Sequence, residues 1–92
     1  MSPEHRKILI IDDEPSDRAI VKHYLEQSEP GRFVFYEAST GRAGVSDSVN
    51  LAPDCILLDY NLPDQDGVAV LERLRDASGE LPIPVSIPPW RR

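Results

Sequence analysis

Two hydrophobic patterns alternate along the chain. Ile8-Leu9-Ile10-Ile11 and Cys55-Ile56-Leu57-Leu58 are unbroken apolar runs, the signature of strands buried on both faces of a parallel sheet. Phe33 to Ala38, rich in aromatic and β-branched residues, reads as another strand. Helical spacing fills the gaps. Pro15 suits a first helical position, where its missing N–H costs nothing, and the helix is expected to run from about Pro15 to Gln27. Its pattern sets Ile20, Tyr24 and Gln27 on one stripe with Val21 and Leu25 beside it, leaving Asp17, Arg18 and Lys22 to water. Ser28-Glu29-Pro30-Gly31 ends it with breaker residues. Thr40 is a candidate N-cap for a second helix from about Gly41 to Leu51, although Gly41, Gly44, Ser46, Ser48 and Asn50 all disfavour that state. A third helix sets Gly67, Val70, Leu71 and Leu74 at i, i+3, i+4 and i+7, and Ser78-Gly79 stops it. Ile83 to Ile87 is a fourth strand. Pro82, Pro84 and Pro88 share one parity there, so one side lacks N–H donors, as an edge strand does.

The order β-α-β-α-β-α-β with short connections forces parallel strands, right-handed crossovers and helices on both faces of the sheet. Ninety-two residues make one domain, 1–92, with room for a single modest core. Acids exceed bases by six, which argues against direct nucleic-acid binding. No apolar run approaches a membrane span, and Met1 to Lys7 lacks a signal-peptide core, so the expected location is cytoplasmic. Cys55 stands alone and reads as a small core residue.

Both apolar runs end in acid: Asp12-Asp13-Glu14 after the first, Asp59 after the other. Each alone has a plain explanation, as acids favoured at a helix N-terminus or as a turn or capping aspartate. The pairing changes that. If the two strands are neighbours, Asp12, Asp13 and Asp59 converge at the carboxyl edge of the sheet, where open α/β folds bind ligands. Carboxylates about 4 Å apart without a counter-ion cost on the order of 4 kcal/mol per pair at an effective dielectric near 20. A domain stable by only about 5–15 kcal/mol does not hold such a cluster idly. Either an acid is protonated or a cation sits among them, and a few hard carboxylate oxygens with positions left for water and phosphate describe a Mg²⁺ site.

Ile8 to Glu14, followed by Leu57-Leu58-Asp59-Tyr60-Asn61-Leu62-Pro63-Asp64-Gln65-Asp66-Gly67, strongly resembles the receiver domain of two-component response regulators, from about Lys7 to Val85. The resemblance implies a flavodoxin-like doubly wound parallel sheet of order 2-1-3-4. It implies Asp59 as phosphoacceptor, Asp13 as a direct Mg²⁺ ligand, Asp12 as a ligand through water and the Asn61 backbone carbonyl as a further ligand. Pro63 and Gly67 would shape the loop beside the acceptor. A histidine kinase or phosphotransfer domain would donate the phosphoryl group, and the only catalysis implied is self-phosphorylation and autodephosphorylation.

The family pattern also has a fifth strand, final helices, a switch Ser or Thr and a Lys, for which this sequence offers no candidates. The switch position falls near Pro89, Ser86 comes too early, and Lys7 and Lys22 are the only lysines. The expectation is a receiver shortened at its C-terminus, with 88–92 as a tail that is exposed, self-docked or a short proline-rich ligand. Sheet left bare by the missing helices would favour a homo-oligomer. Two alternatives stay open. One is a non-switching interaction or oligomerisation remnant. The other is a phosphohydrolase of the haloacid dehalogenase type, which wants a second acid where this chain has Asn61.

Overall fold

Residue alternation along one strand organises the domain. The computed structural model describes residues 5–59, 62, 67–78 and 85–86, and in it β1 (Arg6–Ile11) lies at the centre of the sheet. Parallel pairing sets Leu9 of β1 opposite Tyr36 of β2 (Phe33–Ala38) and Ile56 of β3 (Cys55–Leu58). Beyond β3, Ile56 pairs with Val85 of β4 (Val85–Ser86). The strand order is β2-β1-β3-β4, the order expected. The remaining positions of the Ile83 to Ile87 reading, like the tail, lie outside the described residues.

Successive side chains on a strand point to opposite faces, so β1 supplies both cores. Leu9 and Ile11 join Ala38, Ile56, Leu58, Leu62, Val70 and Leu74 on one face. Ile8 and Ile10 meet Val21 on the other, with Leu25, Phe33, Phe35, Cys55 and Leu57 packed alongside. The first face is closed by α2 (Gly41–Leu51) and α3 (Gly67–Ser78). The second is met by α1 (Pro15–Ser28), and Phe33, Phe35, Cys55 and Leu57 remain only half-buried there. Helices therefore cover both faces of one parallel sheet.

Local chemistry sets the helix ends. Pro15 opens α1. The Thr40 hydroxyl accepts the Ala43 N–H at 3.1 Å, satisfying one of the orphan donors of the first turn. One of the glycines that weaken α2 has a packing purpose. A Cβ on Gly44 would lie 2.5 Å from Cδ1, 2.8 Å from Cγ1 and 2.9 Å from Cγ2 of Ile11. Since the stem of Ile11 and not just its tip is in the way, α2 can lie this close to β1 only with glycine there.

One expectation needs correction. The spacing in α1 put Ile20, Tyr24 and Gln27 on one apolar stripe and sent Arg18 and Lys22 to water. Instead Val21 is buried, Leu25 half-buried, and Ile20 and Tyr24 are 54% and 69% exposed. Val21 and Leu25 pack into the second core, and Arg18 and Lys22 on the same side of the helix both reach Glu37 near the end of β2. Burying an aliphatic side chain is worth about 1.5–3 kcal/mol against about 0–1 kcal/mol for a partly exposed ion pair, so the packing leads and the ion pairs fit beside it.

Candidate functional site

The sheet's own hydrogen bonds bring the acids together. Ile11 and Leu58 are register partners, so the next residue on each strand is an aspartate at the same edge. The ladder continues one step past both strands. The Asp59 N–H donates to the Ile11 carbonyl at 2.8 Å, and the Asp12 N–H donates to the Ala38 carbonyl at 2.9 Å. Both backbones are thus fixed before any side-chain interaction is counted.

Asp12 is held further. Its Oδ1 accepts the Glu14 N–H at 2.9 Å, a local side-chain-to-backbone turn of the kind aspartate makes two residues ahead. Its carbonyl accepts from Arg18 Nη1 at 2.5 Å. Arg18 Nε in turn donates to Glu37 Oε1 at 2.8 Å, and Lys22 Nζ to Glu37 Oε2 at 2.9 Å. The hydrogen bond from Lys22 is the main reason the Glu37 carboxyl is held below the usual carboxylate range; burial opposes it and Arg18 adds to it.

One carboxylate oxygen from each of Asp12, Asp13 and Asp59 falls within 4.8 Å of the others. Asp12 is 2% and Asp59 1% exposed, whereas Asp13 opens to solvent. Among the described residues this is the one group of three such side chains able to hold a metal ion. Three hard oxygens with one open side suit a cation that keeps some of its waters. Gly67 starts α3 and Leu62 is buried in the first core; Asn61 and Pro63, expected as backbone ligand and loop former, lie outside the described residues.

Other candidates have other duties. Lys7 Nζ donates to the Leu51 carbonyl at 3.1 Å, and the Lys7 N–H to Asp54 Oδ2 at 2.7 Å. Lys7 therefore ties the start of β1 to the segment joining α2 and β3. Lys22 serves Glu37. Burial, with the neighbouring Asp54 charge, pushes the Cys55 thiol up, so it stays protonated and unreactive beside the second core. His5 and His23 are exposed. Sequence reasoning missed Arg18 and Glu37. Opposite charges on a helix and on a strand end were visible, but only the β1–β2 pairing makes them neighbours.

A parallel doubly wound sheet with three aspartates gathered at its carboxyl edge defines an α/β acidic-pocket protein. The profile of the response regulator receiver domain matches residues 8–86, and the chain belongs to that family. It is 41% identical over 75 residues to the nitrate/nitrite response regulator protein NarL of Escherichia coli, covering 82% of this chain and 34% of that protein. The chain thus spans about a third of the length of that curated relative. Among solved structures, the Vibrio cholerae chemotaxis protein CheY4 superposes with a TM-score of 0.78 at 25% identity, covering 91% of this chain and 68% of that one. The MaeR response regulator bound to beryllium trifluoride gives 0.77 at 25% identity, covering 90% and 66%. Among the described residues, no helix is long and apolar enough to cross a membrane.

Proposed function

We propose that this chain is the phosphoacceptor module of a two-component phosphorelay, taking a phosphoryl group onto Asp59 from a histidine kinase or phosphotransfer domain with Mg²⁺ at the acidic pocket. The observation that carries the reading is the convergence of Asp12, Asp13 and Asp59 in a chain of this family. A carboxylate oxygen of Asp59 attacks the phosphorus of a phosphohistidine. A P–O bond forms, the P–N bond breaks, and its electron pair returns to the imidazole, which takes up a proton. Transfer of this kind asks mainly for in-line placement and charge neutralisation. Bound Mg²⁺ supplies the neutralisation at the phosphoryl oxygens.

The protein's own residues supply the placement. Asp59 is anchored through its N–H to Ile11, Asp12 through its N–H, carbonyl and Oδ1, and Asp13 follows Asp12 to the open side as a direct ligand. By the family resemblance the Asn61 carbonyl is proposed as a further ligand, and Pro63 and Gly67 as the residues that shape the adjoining loop. Beryllium trifluoride, whose bound form copies the shape and charge of a phosphoryl group, is held by the similar MaeR, which favours the same use of this pocket. The reaction ends at the acyl phosphate and its hydrolysis; no further enzymatic turnover is proposed.

Intact mass after incubation with acetyl phosphate tests this. The expected result is a gain of one phosphoryl group with Mg²⁺ and none with chelator. A folded protein that gains nothing would favour a second reading, an interaction or oligomerisation module, for which the half-buried Phe33, Phe35, Cys55 and Leu57 are the supporting observation.

A further inference from the structure

The guanidinium of Arg18 joins three parts of the fold. It projects from α1, donates through Nε to Glu37 on β2, and donates through Nη1 to the carbonyl of Asp12. Its side chain is 16% exposed, so this is an inner contact with limited competition from water. The accepting carbonyl belongs to the peptide that links Asp12 to Asp13. A peptide unit is planar, so fixing the direction of its C=O fixes the whole plane, and with it the direction in which Asp13 leaves the chain. Asp12 is also anchored at Ala38 and Glu14, and Arg18 holds the carbonyl of the peptide leading from it to Asp13.

We infer that Arg18 is a positioning residue for the metal site, setting the Asp12–Asp13 peptide so that both carboxylates face Asp59. The inference rests on the phosphoacceptor reading above. Arginine suits the task because its planar fork offers several donors in fixed relative directions. One nitrogen can grip Glu37 while another grips Asp12. Lys22 grips Glu37 as well, so a Lys22 variant loses a Glu37 ion pair while keeping the Arg18 grip on the Asp12 carbonyl, which makes it a built-in control.

The sign of the effect separates this role from simple electrostatics. Removing a cation near an acidic pocket should, by Coulomb's law, tighten the binding of another cation. Removing a positioning group should loosen it, and outer partners of metal ligands typically contribute about 10–100-fold in affinity.

The experiment is calorimetric titration of Mg²⁺ into the intact protein and into Arg18→Gln and Lys22→Gln, with circular dichroism establishing that each is folded. The inference predicts Mg²⁺ affinity about 10–100-fold weaker for Arg18→Gln and unchanged for Lys22→Gln, while both lose stability to urea. Where Arg18→Gln does not fold, Arg18→Lys is titrated instead, with loss of affinity again expected because one ammonium replaces the fork. Unchanged or tighter binding in the Arg18 variants overturns the inference, as does an equal loss in Lys22→Gln. Absence of Mg²⁺ binding by the unaltered protein would instead overturn the phosphoacceptor reading and this inference with it.

Discussion

Asp59→Asn is expected to make the protein more stable in metal-free buffer while abolishing its ability to be phosphorylated. Asp59 is almost wholly buried and lies with Asp12 and Asp13 so that their ligand oxygens are within 4.8 Å. Repulsion among carboxylates at such distances runs to about 4 kcal/mol per pair at an effective dielectric near 20. Asparagine keeps the shape and the backbone N–H that bonds Ile11 but drops the charge. Urea unfolding without Mg²⁺ should therefore show a gain on the order of 1–3 kcal/mol, a fraction of that bound. The gap should shrink or close when metal is added. A ligand at a hundred times its dissociation constant stabilises the folded state by about 2.7 kcal/mol. The unaltered protein should gain this with Mg²⁺, and the Asp59→Asn variant should gain much less. A variant that is less stable without metal and equally stabilised by Mg²⁺ would show that the three acids do not form one site.

Leu58→Ala is expected to cost about 2–5 kcal/mol, the usual range for emptying a core position. Leu58 is fully buried among Leu9, Ile11, Ile56, Val70 and Leu74. A domain of this size has only about 5–15 kcal/mol to lose, so the thermal midpoint should fall sharply. Val49→Ala, at a position 57% exposed, should stay within about 0.5 kcal/mol. Leu58 also immediately precedes Asp59, the proposed acceptor, and pairs with Ile11, whose carbonyl receives the Asp59 N–H. Loosening it should slow phosphorylation even at temperatures where the variant remains folded. Equal midpoints for the two variants in calorimetry would contradict this description of the core.

Much of this design is legible in the sequence. The runs Ile8–Ile11 and Cys55–Leu58 declare buried parallel strands because nothing polar interrupts them, and each delivers an acid at its end. Thr40 and Pro15 mark helix starts by local chemistry alone, and both stand where that chemistry puts them. What the sequence hides is tertiary. The Ile20–Tyr24–Gln27 stripe is a good apolar pattern, yet the side that meets the sheet carries Val21 and Leu25, flanked by ion pairs from Arg18 and Lys22 to Glu37. Gly44 looks like a flaw in a helix until Ile11 is found where its side chain would be. Periodicity ranks residues by hydrophobicity; it cannot see a salt bridge between elements 15 or 19 residues apart.

The most direct test of the central claim is where the phosphoryl group goes. After reaction with acetyl phosphate and Mg²⁺, borohydride reduces an acyl phosphate to an alcohol, and peptide mass mapping locates the altered residue. The account predicts reduction at position 59 alone, lost in chelator and in an Asp59→Ala variant. Modification at Asp12 or Asp13, or a labelled site that persists without Asp59, would contradict it.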